Sequence, residues 1–364
     1  MPSKHALVAD IEKTLEEIWQ SFQGTNKMRA SLFNLVIFTE KNKRSLYLDK
    51  IAHKVIEKFP SRIIFIQIDD ENKENKIQTT VSLINAGKDN SDIVCDLIDI
   101  LAPKKLAEKV PFIVLSHLLP DLPIYFLYGS NIDTKETIFS QIEPLSEKVI
   151  VDSEAALKIT SFAKITLDYH KKQKAKIADL NWERIHSFRT LFATIFKSQE
   201  DLAHLKTTEE IHLKYNNAKN TYFEHHHIQA SYFQAWISVC LGWTITSIKG
   251  KNGIFTFDYK SSKGSPRITL SPCKMENVLP GRICSVHLKT AKADFKIDRN
   301  PKSPHCLIIE KSLKTECFLP SLYMIDKETS GQSLINELAH AGVNEHYIKT
   351  LKQIITFLPW ENVL

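Results

Sequence analysis

Ten glycines in 364 residues are few, and their scarcity removes a large class of functions. A phosphate-cradling turn needs glycine so that backbone N–H groups can approach the anion. No GxGxxG run occurs, and neither GKN (250–252) nor GKD (87–89) carries the Ser or Thr that follows a phosphate-loop lysine. GxSxG, HExxH and DFG-like sets are missing too, so no catalytic residue is nominated. Cysteine is sparse, at 95, 240, 273, 284, 306 and 317. No two form a CxxC pair, which excludes a zinc ribbon and a thioredoxin motif. Long apolar runs are lacking: none would span a bilayer, and the first residues lack a signal peptide's apolar core. A cytoplasmic protein with no membrane partner is expected. Excess charge is small, 48 basic against 42 acidic residues, and both signs are spread along the chain, so no nucleic-acid partner is expected. The HKKQKAK run at 170–176 reads as an exposed linker.

With 43% hydrophobic residues, the chain can bury two cores without disulfide or metal support. Leu7, Ile11, Leu15, Ile18 and Trp19 share one face of an opening helix. A strand at 32–40, a helix at 45–60 and a strand at 62–69 follow. IQTTVSLINA (77–86) reads as an antiparallel edge strand, and 92–119 reads as largely helical. PIYFLYG (123–129) and KVIVDS (148–153) complete a sheet apolar enough to need cover on both faces. Beyond a linker at 169–178, a helix at 180–198 and another at 222–242 precede short alternating segments separated by Gly, Pro and Ser turns. A helical stretch from Gly331 to Phe357 closes this second domain. The fold class is therefore α/β, or α+β overall. An N-terminal domain (1–168) holds a mixed sheet flanked by helices, and a C-terminal domain (179–364) packs helices on an antiparallel sheet.

Polar residues at element ends supply the candidate site. In LLPDLPIYFLYGS (118–130), Pro120 and Pro123 enforce an extended entry, and Asp121 is held where a strand begins. Arg62 opens another strand, Asp152 and Ser153 close a third, and Arg184 and Arg189 follow on a helix. These are expected to line one crevice for a sugar phosphate or an acidic partner, or else to pair and tie the domains together. Adjacent His225, His226 and His227 point roughly 100° apart on a helix and cannot converge on one ion, so no metal site is expected. Cys273, Cys284, Cys306 and Cys317 fall in predicted strands of one sheet. They are candidates for reversible pairing under redox control, against a plain role as buried thiols.

Six stretches in order settle the choice: RASLFNLVIF, FPSRIIFIQID, LPDLPIYFLYG, KVIVDS, DLNWERIHSFRTLFATIF and FQAWISVCLGW. From about Arg29 to Trp243 the chain resembles the OpcA family, the glucose-6-phosphate dehydrogenase assembly proteins. The matched positions are Arg62, Asp121, Leu122, Pro123, Asp152, Ser153, Trp182, Arg184 and Arg189. Leu127 and Tyr128 stand where the family has a tryptophan pair, and Ser187-Phe188-Arg189 stands for its usual Pro-Trp-Arg. The resemblance implies a non-enzymatic protein without cofactor. It would bind glucose-6-phosphate dehydrogenase as an allosteric activator of its assembly, at the entrance of the pentose phosphate pathway of carbohydrate metabolism. The residues alone also allow a sugar-phosphate-binding enzyme or sensor using the Arg/Asp crevice between the domains.

Overall fold

Branched and aromatic runs bounded by turns build two sheets in the computed structural model, which describes residues 3–22, 24–87, 92–132, 137–172, 176–219, 225–326, 329, 331–340, 342 and 345–363. One unit comprises Met1–Ala156, Asp168–Leu180 and Ser330–Val343, and the other Leu157–Leu167, Asn181–Thr329 and Asn344–Leu364. The first sheet contains β1 (Ser3–Ala6), β2 (Met28–Arg29), β3 (Asn34–Glu40), β4 (Arg62–Asp69), β5 (Gln78–Asn85), β6 (Ile93–Pro103), β7 (Ile124–Tyr128), β8 (Lys148–Val151) and β9 (Lys176–Asp179). Its order is β1-β5-β6-β4-β3-β7-β8-β9, with β2 beside β6. The strands from β6 through β9 along this order run parallel, while β5 is antiparallel to both β6 and β1. β3 and β4 are buried almost throughout, as a sheet covered on both faces requires. The helices of the first unit include α1 (Ile11–Gln20), α2 (Lys43–Ile56), α3 (Val110–Ser116) and α4 (Thr137–Ile142), and α5 (Ile159–Lys172) is divided between the units.

The second unit holds α6 (Leu180–Arg184, from Asn181 onward), α7 (His186–Ile195), α8 (Gln199–Lys206), α9 (Ile228–Cys240) and α11 (Glu345–Ile355), whereas α10 (Gln332–Ala339) belongs to the first. Its sheet contains β10 (Thr208–Asn216), β11 (Thr244–Lys251), β12 (Ile254–Lys260), β13 (Arg267–Cys273), β14 (Ile283–Thr290), β15 (Ala293–Asn300), β16 (Ser303–Leu313), β17 (Glu316–Cys317) and β18 (Ser321–Met324). The order is β11-β12-β13-β10-β14-β15-β16-β17, with β18 also on β16. Only the β10–β13 pair among these is parallel. α9 is buried from Ile228 through Ser238, which explains its apolar residues on every face. It stops at Gly242, whose φ of 64° is the left-handed turn expected after a helix.

Four expectations need correction. Residues 93–103 form strand β6, not helix. Its acids at 96 and 99 mimic the spacing of an amphipathic helix, but pairing on both sides with β4 and β5 wins. β5 is not the edge, because β1 lies outside it. The supposed linker at 169–178 holds the end of α5 and most of β9, with Ile177 and Ala178 buried. The helical stretch from Gly331 does not close the second domain throughout: α10 serves the first unit, where its Glu337 receives the buried Lys148 ammonium at 2.7 Å.

Candidate functional site

Because β3, β4 and β7 run parallel, their first residues share one edge of the first sheet. Asn34 opens β3 and donates to the carbonyls of Leu119 and Leu122, while its Oδ1 accepts from Leu119 N at 2.8 Å. Arg62 opens β4 and is 2% exposed. Its Nε and Nη2 donate to Asp96 Oδ2 at 2.9 and 2.6 Å, and its Nη1 donates to Glu12 at 2.7 Å and to the His117 carbonyl at 2.8 Å. Arg29 grips both Asp96 oxygens at 2.8 Å. One buried carboxylate is thus held bidentately by Arg29 and through Oδ2 alone by Arg62, with charge-assisted bonds. Partial burial opposes ionisation of Glu12, but His117 and Arg62 outweigh it and hold its carboxyl at about 2. Asp121 sits on this edge exposed, with a φ of 62°. Aspartate tolerates that left-handed backbone better than most residues, which accounts for the acid between two prolines.

The opposite edge is built from the strand ends. Asn42 caps α2, accepting from the amides of Arg44 and Ser45. Arg44 forms an ion pair with Asp152 at 2.5 Å and donates to the Gly129 carbonyl at 3.2 Å. Ser153 donates through its amide and hydroxyl to Asp179 Oδ1 at 3.1 and 3.2 Å. Lys41 bonds Asp69 at 2.8 Å and holds its carboxyl below the ordinary value. A Cβ at Gly129 would stand 2.3 Å from Leu48 Cδ1, so that turn admits glycine alone without a shift of Leu48. In doubly wound sheets this is the ligand-binding edge, where a glycine turn and free helix amides meet phosphate. Here the turn after β3 has no glycine, the amides of Lys41, Arg44 and Ser45 bond Ile68 and Asn42, and the Arg44 side chain is paired within the protein.

The single crevice is therefore corrected. Arg62 and Asp121 lie at the strand starts and Asp152 and Ser153 at the strand ends; Arg62 is level with Ile124 and Asp152 lies one position beyond Val151, which is level with Tyr128, an offset along the strands of roughly 17 Å. Arg62 pairs with Asp96 and Glu12, and Asp152 with Arg44, rather than with one another. The residues missed in the sequence are Glu12, Arg29, Arg44, Asp96 and Asp179. An aspartate inside an apolar run signals a buried acid that needs a cation, so Asp96 alone was discoverable.

In the second unit, Trp182, Arg184 and Arg189 are all buried. The Arg189 guanidinium lies 3.7 Å over the Trp182 indole and donates to its carbonyl at 3.2 Å. Arg184 bonds Asn181 Oδ1 at 2.8 Å, and its carbonyl accepts from Arg282 at 2.9 Å. Trp182 packs against Tyr232 and Tyr347. Phe188 is buried between Phe233 and Arg299, and in the first unit Tyr128 stacks on Phe38 with centroids 5.0 Å apart. At these family-divergent positions the chain uses packing rather than indole hydrogen bonding.

His227 packs on Phe255, and burial, helped by His225 and His226, lowers its pKa to about 4. No group of three metal-ligating side chains exists among the described residues. None of the six cysteines is in a disulfide. Cys317 is level with Ser312 in β16, six positions from Cys306 and about 20 Å away along the strand, so those two cannot pair. Cys273 and Cys284 lie near the same end of β10, on strands that flank it. The Cys284 thiol donates to the Arg282 carbonyl at 3.6 Å, and its nearness draws the Cys273 pKa down.

Two family profiles match the chain: glucose-6-phosphate dehydrogenase subunit N-terminal domain over residues 52–166, and the corresponding C-terminal domain over residues 175–351. The OxPP cycle protein OpcA of Synechocystis sp. is 24% identical over 208 residues, and that of Nostoc punctiforme 23% over 206. Each match covers 56% of this chain but only 42% and 43% of the relatives, so the likeness spans less than half of their length. Two solved structures share the fold at 8% identity. The UDP-N-acetylglucosamine 3-dehydrogenase GnnA of Acidithiobacillus ferrooxidans aligns over 92% of this chain and 98% of its own, with a TM-score of 0.50. A super-repressor mutant of Gal80p from Saccharomyces cerevisiae aligns over 92% and 96%, with a TM-score of 0.51. A dehydrogenase and a repressor on one fold show that the fold does not decide the function.

Proposed function

Since the chain belongs to the OpcA family of glucose-6-phosphate dehydrogenase assembly proteins, we propose that it is a non-enzymatic factor that binds this dehydrogenase and favours its active oligomer, serving NADPH supply in the cytoplasm. The observation that carries the non-enzymatic part is the strand-end edge of the first sheet. Asn42 accepts from the Arg44 and Ser45 amides and Arg44 spans to Asp152 and Gly129, so these groups, at the place where this fold seats a dinucleotide phosphate, are already engaged by the chain's own side chains, which supports the reading.

Activation then works through differential affinity, because a partner binding active and inactive forms equally shifts nothing. Each tenfold preference is worth about 1.4 kcal/mol. Arg62, Asp152, Ser153, Trp182, Arg184 and Arg189 act by holding their units in shape, and exposed Asp121 is available to a partner. The test mixes the purified chain with the dehydrogenase and follows NADPH production and sedimentation. A larger complex with raised activity supports the reading; no complex and unchanged activity over a wide concentration range remove it.

A further inference from the structure

The last edge of the second sheet is built unlike an ordinary protected edge. β16 carries two short strands in series, β17 and β18, and among the described residues both pair with β16 alone. From Cys317 to Ile325 the sequence CFLPSLYMI has no charge. Four of its side chains face water: Phe318 at 40%, Leu319 at 92%, Leu322 at 68% and Met324 at 61% exposure. The segment is nonetheless anchored on its inner side. Phe318 N donates to the Lys311 carbonyl at 3.1 Å and Ile325 N to the His305 carbonyl at 2.8 Å. The Lys311 ammonium stands 4.7 Å from the Phe318 ring while paired with Asp201 at 2.7 Å. Natural edge strands are usually blunted by charge or covered, and an uncharged apolar window left bare invites aggregation. Exposed apolar residues such as Leu46, Leu145 and Leu157 are instead scattered singly, which is unremarkable on any surface.

We propose that the Cys317–Ile325 edge receives an extended segment of a partner protein by strand addition beside β18. This rests on the reading that the chain binds glucose-6-phosphate dehydrogenase, which then donates the segment. Area favours an added strand over a second copy. The four side chains offer on the order of 500 Å², short of the roughly 800 Å² per partner of a stable interface, whereas strand addition draws its affinity from main-chain hydrogen bonds. Charge sets the direction. Exposed Lys292 and Lys314 lie together at one end, linked by the Lys314 N to Lys292 carbonyl bond of 3.1 Å, with Glu316 near them, and exposed Asp326 lies past the other end. The fitting segment is apolar in its middle, where it meets Leu322 and Met324 on one face of the strand. It carries an acid toward the lysines and a base toward Asp326.

The test uses the full chain with its cognate dehydrogenase. A Leu322→Lys, Met324→Lys double variant places charges on exposed positions, and Leu46→Lys makes the same change at an exposed site of the first unit. Circular dichroism and thermal unfolding verify that each variant is folded. The double variant is expected to bind at least tenfold more weakly and to lose activation in step, Leu46→Lys to behave as wild type, and amides between 321 and 324 to exchange more slowly in the wild-type complex. Unchanged binding by the folded double variant overturns the assignment of this edge and leaves the dehydrogenase reading standing. If the double variant instead changes the chain's own oligomeric state while dehydrogenase binding persists, the occupant is a second copy and the proposal is wrong. If the wild-type chain itself fails to bind, the dehydrogenase reading fails and the edge assignment falls with it.

Discussion

The two sheets use charge differently, at the strand ends of the first and along the outermost strand of the second. In the first, both ends of the parallel strands are sealed by charge: Arg29 and Arg62 on Asp96 at the starts, Arg44 on Asp152 and Lys41 on Asp69 at the ends. In the second, the edge at β18 is uncharged and apolar, with Leu322 and Met324 in water. Paired charges at strand ends stabilise their own unit, whereas an unpaired lateral strand costs aggregation risk unless it is covered. The contrast is the basis on which the docking edge of the second unit is proposed.

The largest expected effect comes from breaking the seal. Asp96→Ala removes the buried acid that Arg29 and Arg62 share and leaves them only the half-exposed Glu16 and Glu12, and should destabilise the protein by about 3 to 5 kcal/mol in urea unfolding. A loss below about 1 kcal/mol would mean that the network does not hold the first unit. In the second unit the corresponding support is apolar, so Trp182→Ala should cost a similar 3 to 5 kcal/mol through lost packing against Tyr232 and Tyr347. A near-neutral result there would show that α6 repacks.

Acidity sharpens the comparison within the first sheet. Burial, with the charge of Asp49 second, lifts Asp99 from 3.8 to about 7. Its folded pKa lies above the unfolded one, so its contribution is fully present below about 4 and is lost as pH rises through 7. Asp99→Asn should remove that slope and stabilise the protein at pH 8 by on the order of 2 kcal/mol, read from unfolding at pH 5 and pH 8. An unaltered slope would assign the pH dependence elsewhere. Glu12, held at about 2, has the opposite sign: its stabilisation is present above about 4.5 and fades as pH falls through 2. The smallest effect concerns thiols. Mild oxidant should consume Cys273 and Cys284 together and leave Cys306 and Cys317 free, as counted by mass spectrometry after alkylation. Six free thiols after oxidation would make all of them packing residues.

Local signals carried much of this fold. The apolar face of α2, the glycine stop of α9 and the alternating strands of the second sheet were legible because each depends on neighbours in sequence. β6 was misread because Asp96 and Asp99 sit three apart, as on a helix, and only pairing with β4 and β5 shows otherwise. Strand direction was equally hidden. Arg62 and Asp152 were expected to meet because both end strands, yet a parallel sheet sends starts and ends to opposite edges. The charge network lay beyond reach for the same reason: Arg29 and Arg62 find Asp96 at separations of 67 and 34 residues, and no local pattern announces such a contact.

The most direct measurement compares affinities for two states of the partner. The purified chain is titrated against the active glucose-6-phosphate dehydrogenase oligomer and against its dissociated form, by sedimentation, with NADPH production followed alongside. The account predicts tighter binding to the active oligomer, by the factor through which the chain shifts the dehydrogenase toward that form, and no dehydrogenase activity in the chain alone. Equal affinity for both forms, or NADPH production by the chain without the dehydrogenase, would contradict it.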